Sequence, residues 1–338
     1  MKKFNKKFLQ IACCYLLICL FSSLGITNAY SDESFQLLDQ ISTNSWSIGL
    51  STSENELFVA DGINNNILIF DFYGKTIRNF SLDDDNDCTG HIHGITVSKN
   101  RIYVVKENND CVAIYDLSGK LLEKFGSKGK GMGEFNSPQN IEVFDNRIYV
   151  TDNKNKRIQI FDLEGNFLNL FNIQKNGLEN GMETPYDLEI YQKQIYVTLP
   201  KENKIQVYDL EGNFLNSLNT ADNFRDPLGI SIRNDRIFVA SGDSNQILVL
   251  NLKGDLVDKI NSDFLDPHQI VLFENKMYVL DTRNFLVKIF SIPEIDDYNK
   301  FENESKNFQH YQIYLVIVIP IIIAIFFLIK KFYINQRN

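Results

Sequence analysis

The sequence predicts an all-β chain folded as a six-bladed β-propeller. Three observations carry that expectation: a repeat of 40 to 47 residues, apolar alternation at strand period, and a glycine at one fixed place in most units. Five segments align without gaps: LFVADGINNNILIFDFYGKTIRNF from Leu57, IYVVKENNDCVAIYDLSGKLLEKF from Ile102, IYVTDNKNKRIQIFDLEGNFLNLF from Ile148, IYVTLPKENKIQVYDLEGNFLNSL from Ile195 and IFVASGDSNQILVLNLKGDLVDKI from Ile237. A sixth, MYVLDTRNFLVKIFSIPE from Met277, begins alike and then departs. The starts lie 45, 46, 47, 42 and 40 residues apart, which is the period of propeller blades.

Each unit reads as four short strands. The first is a short apolar segment that follows a proline at Pro138, Pro185, Pro227 and Pro267. In blades 1 and 2 the segments from Trp46 and His93 take that place. The second strand is the Ile-Tyr-Val type, and the third alternates, as Ile158 and Ile160 do around Gln159. Gly74, Gly119, Gly165, Gly212 and Gly254 mark the hairpin into the fourth, because glycine takes positive φ without steric cost. An open ring would leave an unpaired edge, and blade 6 runs out of pattern at Pro293 without an outer strand. The segment 34–41, SFQLLDQI, reads like the other outer strands, so it is expected to close blade 6 onto blade 1.

The two ends are read apart from this domain. Residues 1–29 have a basic start, an apolar run and a small-residue site at Ala29, the order of a secretory signal peptide; an uncleaved signal anchor is the alternative. Residues 30–295 form the propeller and 296–310 a polar tether. Residues 311–329 carry no charge and span about 28 Å as a helix, enough to cross a bilayer once. Lys330, Lys331 and Arg337 in the tail 330–338 put that end in the cytoplasm, and the propeller is expected outside the cell membrane. The chain's net charge of −9 includes basic residues at both ends, so the propeller itself is more acidic. Such a surface repels phosphate backbones and excludes nucleic acid as a partner.

The blade 3 region, Phe125-Gly-Ser-Lys-Gly-Lys-Gly-Met-Gly-Glu-Phe-Asn-Ser-Pro138 with Ile148-Tyr-Val-Thr-Asp152 and Arg157-Ile-Gln-Ile-Phe161, resembles the NHL-repeat family. The resemblance extends over roughly 33–292 and weakens in blades 1 and 6. It implies a six-bladed propeller and little chemistry, since the scaffold hosts many functions. In propellers of this type the first residues of each inner strand approach the central channel. The resemblance therefore puts Trp46, His93, Gln139, Tyr186 and His268 there, followed by Asn140, Asp187 and Gln269, as candidate ligand-binding residues. His93 and His268 on one tunnel resemble the rim of peptidyl-hydroxyglycine amidating lyases, which hold zinc with histidines. A third channel histidine is missing, so a metal-dependent lyase or hydrolase is the alternative to a binding module for an extracellular protein, peptide or glycan. No cofactor is expected on the leading reading.

Other motifs resolve against chemistry. The glycines of 126–133 lead into a strand and lack Lys-Ser/Thr, so the stretch reads as a connector and not a phosphate loop. The acidic run 83–87 has Cys88 and Gly94 where an EF-hand needs glycine and glutamate, which leaves a non-EF calcium loop or a solvated acidic loop. Of five cysteines, Cys13, Cys14 and Cys19 fall in the leader. Cys88 and Cys111 remain on the exported side; the blade topology puts them on one face and predicts a disulfide, with two independent thiols as the alternative.

Overall fold

The computed structural model describes residues 35–293 apart from 44, 54, 83–87, 89, 176–177 and 219–224. The expected signal peptide, tether, membrane helix and tail lie outside the described residues. Among the described residues no helix is long and apolar enough to cross a membrane.

Six four-stranded antiparallel sheets account for almost all regular structure. Their innermost strands are Ser47–Ser53, Ile92–Ser98, Pro138–Phe144, Leu188–Tyr191, Pro227–Arg233 and Pro267–Phe273. The strands form where β-branched and aromatic residues alternate. They end where an Asp or Asn can cap a turn with its own side chain. Asp116 Oδ1, for example, accepts hydrogen bonds from the Ser118 and Lys120 amides, and Asp71, Asp162, Asp209 and Asn251 do the same in their blades.

The glycine that follows each of these caps has a second task. Gly119 sits at φ +88°, and a Cβ there would lie 2.4 Å from the Phe80 ring of the preceding blade's outer strand. Gly165 meets Phe125, Gly212 meets Phe171, Gly254 meets Leu218 and Gly74 meets Ile41 in the same relation. Ile41 therefore stands to blade 1 as Phe80 stands to blade 2. It belongs to Leu37–Ser42, which pairs antiparallel with Leu286–Ser291 and supplies the outer strand of blade 6. The ring closes through the N-terminal segment.

The apolar core lies between blades. Six clusters of buried side chains each join two neighbours. The cluster at the seam of blades 6 and 1 packs Ile41, Leu50 and Val59 against Tyr278, Leu280 and Val287. There Phe72 stacks on Phe273 with ring centroids 4.0 Å apart, and Thr282 Oγ1 donates to the Ser47 carbonyl at 3.2 Å.

Long connectors are tied down by buried ions. Arg157 pairs with Asp152 at 2.7 Å and donates to the carbonyls of Lys130, Gly131 and Glu134. The glycine-rich stretch 126–133 is thus a strapped connector over the fully buried Phe135, leading into a strand. Lys204 pairs with Glu183 at 2.6 Å below the hairpin of Gln174–Lys175 and Leu178–Met182, and Lys288 pairs with Asp281 at 2.8 Å. Cys88 and Cys111 form a disulfide with Cα atoms 6.1 Å apart, joining the connector into blade 2 to that blade's third strand. The acidic run 83–87 lies outside the described residues.

Candidate functional site at the central channel

Which residues face the channel is set by how each inner strand pairs with the second strand of its blade. Leu50, Ile95, Ile141, Leu188, Ile230 and Ile270 pair with Val59, Val104, Val150, Val197, Val239 and Val279, and enter the inter-blade cores. Counting back two residues gives the mouth layer: Ile48, His93, Gln139, Tyr186, Leu228 and His268. Counting back one gives Gly49, Gly94, Asn140, Asp187, Gly229 and Gln269. Register irregularities just before these apolar anchors let consecutive residues both approach the axis.

One expectation is corrected by this register. Ile48, not Trp46, occupies the mouth layer in blade 1, and Gly49 occupies the next. Leu50 must fill the core at the seam with blade 6, which slides the chain two residues from the alignment drawn at Trp46. Trp46 is half-buried, and its carbonyl accepts from the Gly62 amide at 3.2 Å.

The glycines of the second layer are required by backbone approach. A Cβ on Gly94 would lie 2.7 Å from Asn140 Cα and the Gln139 carbonyl, and one on Gly229 would lie 2.4 Å from the His268 carbonyl. The remaining three positions of that layer carry a polar network. Asn140 Nδ2 donates to Asp187 Oδ1, while Asp187 Oδ2 accepts from the Ile230 amide at 2.9 Å and from Gln269 Nε2 at 3.2 Å. Burial, offset in part by these donors, raises the Asp187 carboxyl to about 7.

At the mouth, three rings converge. Tyr186 Oη lies 2.6 Å from His268 Nε2 and 3.4 Å from His93 Nε2, within hydrogen-bond reach of both. The ring centroids are 5.5 to 5.8 Å apart. His93 Nδ1 is 3.0 Å from the Gln139 carbonyl, which assigns the proton to Nδ1 and leaves Nε2 as a bare acceptor. A phenol has one proton, so Tyr186 can donate to only one of the two rings. The His93 Nε2 lone pair has only the long 3.4 Å contact to the phenol.

Electrostatics keep this cluster neutral. Burial, and then the neighbouring His93, lower His268 to about 3. The Ile48 carbonyl opposes this, although Nδ1 makes no hydrogen bond to it. Burial also lowers His93, against the pull of the Glu107 carboxylate and the Gln139 carbonyl. Burial, then Asp187, holds the Tyr186 phenol well above its ordinary value. Glu107, from the middle loop of blade 2, was missing from the sequence reading. Burial pushes its carboxyl up, but the Ser137 hydroxyl and then His93 prevail and hold it low.

The structure thus brings together His93, Gln139, Tyr186 and His268 in one layer and Asn140, Asp187 and Gln269 in the next. His91 is exposed and its Nδ1 rests 2.7 Å from the Gly62 carbonyl, so it does not join the pair. Asp187 is committed to its own donors. Among the described residues no three His, Cys, Asp or Glu side chains converge to hold a metal ion; a third donor to such an ion at His93 and His268 would have to be Tyr186.

Comparison with known proteins agrees with the architecture. A family model described as a 6-bladed beta-propeller, DUF5128, matches residues 135–228, which span blades 3 and 4. The chain is a six-bladed β-propeller. A comparison of the propeller with curated proteins finds no match. Among solved structures, a streptogramin B lyase is 16% identical, with 77% of this chain and 88% of that one covered and a TM-score of 0.56. Virginiamycin B lyase from Staphylococcus aureus is 13% identical over 77% of this chain and 100% of the other, with a TM-score of 0.58. The WD40 beta propeller domain of Doa1 is 14% identical over 72% and 78%, with a TM-score of 0.54. At such identities the likeness establishes the propeller's fold alone.

Proposed function

We propose that the protein is an extracytoplasmic, membrane-tethered propeller of the NHL type that works as a binding module, with the channel mouth as its recognition site. The observation that carries this reading is the His93 Nε2 acceptor, held only by a long 3.4 Å contact to a phenol that lies closer to His268. A ligand N–H or O–H donor would satisfy it, as a peptide or glycan offers. His268, lowered to about 3, and Tyr186, which stays protonated, are poorly matched to general-base work near neutral pH. The three rings are neutral donors and acceptors beside the Glu107 carboxylate, which favours recognition over proton transfer. The disulfide supports an oxidising, exported location.

Binding of the full chain to defined peptide and glycan arrays tests the module. Tyr186→Phe and His93→Ala should each abolish or weaken a retained spot at least about tenfold, the scale of a lost buried hydrogen bond. Retention that neither variant changes would remove the mouth from the proposal. A protease added to intact cells should reach the propeller, while a tag placed after Asn338 stays protected; the reverse pattern would overturn the tethered topology.

A metal-dependent lyase is the second reading, favoured by two imidazole Nε2 atoms and a phenol oxygen facing one point and by lyases among the similar folds. Metal analysis separates the two readings. Stoichiometric zinc in purified protein that is lost in the His93→Ala, His268→Ala double variant would favour the lyase.

A further inference from the structure

Farther along the inner strands, past the Asp187 layer, lies a cavity of about 200 Å3. Its polar wall is one row of the repeat, the residue after each apolar anchor: Ser51, Thr96, Glu142, Glu189 and Ser231 from five consecutive blades, with Val271 from the sixth. Because the anchors enter the cores, strand alternation turns this row toward the channel. Five of its six members bear oxygen, and none of the residues lining the cavity is basic.

The two glutamates break a pattern that the rest of the molecule keeps. Asp152 has Arg157, Glu183 has Lys204 and Asp281 has Lys288, each pair enclosed. Glu142 and Glu189 have no basic partner among the described residues. They face each other's charge and that of Asp187, with the Thr96 hydroxyl and the backbone of Val143 and Ile232 as their only hydrogen-bonding support. Both are half-buried at the channel, and carboxylates so placed without a countercharge are costly, so the site is electrostatically incomplete. A second observation points the same way. Ser231 is 7% exposed, lines the cavity, and its hydroxyl makes no hydrogen bond within the described structure. The Ser51 hydroxyl, by contrast, is engaged by the Val97 amide at 3.0 Å.

Volume chooses the kind of cation. A water molecule's share of liquid is about 30 Å3, so the cavity has room for roughly seven. A bare metal ion would leave most of it unfilled, whereas an ammonium group at the glutamates, with its alkyl stem running along the channel past Val271, would occupy more of it. We propose that this cavity binds a primary alkylammonium group, the end of a polyamine or of a lysine side chain. Its three N–H donors would go to Glu142, Glu189 and the Ser231 hydroxyl.

Burial, then the Asp187 charge, raises Glu142 to about 8, and burial, then Glu142 and Asp187, raise Glu189 well above its ordinary value. An incoming ammonium must displace at least the Glu142 proton, so affinity should climb about tenfold between pH 7 and 9, where the amine itself stays charged.

Titration calorimetry of the full chain at pH 8.5 with 1,5-diaminopentane, and separately with acetyl-Gly-Lys-Gly-amide, tests the site. Saturable binding of either is expected, weakened at least about tenfold by Glu142→Gln and by Glu189→Gln and severalfold by Ser231→Ala. Binding of the diamine alone assigns free polyamines as the source, and binding of the peptide alone assigns a protein lysine. Tyr186→Phe, at the mouth, should leave this binding unchanged, so the two sites stand or fall separately. Should the glutamine variants not fold, the Ser231→Ala loss decides. Saturable binding of neither probe, binding that the variants leave unchanged, or calcium binding in its place that the glutamine variants abolish would each overturn the proposal.

Discussion

Gly94 shows how one residue without a side chain sets the inner ring. A Cβ there would press on Asn140 Cα, the Gln139 carbonyl and the Asn140 side-chain oxygen, so a methyl group has mainly backbone to displace. Gly94→Ala should therefore cost about 1–3 kcal/mol, the range for overpacking a tight site, and should widen the spacing of blades 2 and 3. Denaturant unfolding checks this: a midpoint equal to that of the parent would show that the inner strands can part freely. Arg157 is the opposite case, a residue defined by what it holds. Arg157→Met should leave Asp152 enclosed without its countercharge and release the connector carbonyls of Lys130, Gly131 and Glu134, with a loss of about 3–5 kcal/mol. The histidines and Tyr186 were legible from aligned blades, because their position in the repeat is local information. Glu107 was not, since it reaches the mouth from the middle loop of blade 2, and only the folded blade brings that loop over His93. Glu142 and Glu189 did leave a signal, an acidic residue at one repeat position in two successive blades, two residues beyond Asn140 and Asp187.

Among the elements, the N-terminal strand Leu37–Ser42 has the most leverage for its size. Most of its side chains are exposed, and its holding power comes from its ladder with Leu286–Ser291 and from Ile41 in the seam core. Removing residues 30–42 should uncover the edge of blade 6 and open a path to unzipping at the seam or to pairing with another chain. The expected result is a lower, broader thermal transition and concentration-dependent association; a sharp transition at the parent temperature would show that the ring holds without its latch. The disulfide is an element-scale clamp of another kind. It closes a loop of 23 residues' separation, for which the chain-entropy model gives about 3 kcal/mol. Reduction, or Cys111→Ser, should lower stability by about that amount without altering the strand order, as read by denaturant titration with and without reductant.

For the molecule as a whole, the channel makes stability depend on pH in an unusual direction. Asp187 and Glu142 have folded values raised to about 7 and about 8, from ordinary values near 4. A carboxyl raised on folding stabilises the native state fully below its unfolded value, and that contribution is lost as pH rises through the folded value. The ligand-free propeller should therefore melt higher at pH 5 than at pH 9, with the decline concentrated between pH 4 and 8. Glu142→Gln with Glu189→Gln should flatten that decline. Glu107, held below its ordinary value, works oppositely but only under about pH 4.5. A melting temperature that rises from pH 5 to 9 would contradict the buried, uncompensated state of these carboxyls.

The sequence by itself determined the blade count, the order of strands within each blade, the closing role of the N-terminal segment and the partnership of Cys88 with Cys111. These follow from short-range patterns: alternation, turn chemistry and a period that repeats along the chain. Only the tertiary structure decided which residues of the inner strands face the channel and in which layer. That choice depends on irregular pairing just before the anchors and on the core at the seam, which moved Ile48 into the place drawn for Trp46. It also decided the chemistry of the channel. A carboxyl or imidazole takes its proton affinity from the solvent it loses and the charges it faces, and in a ring of blades those neighbours come from segments tens to hundreds of residues apart.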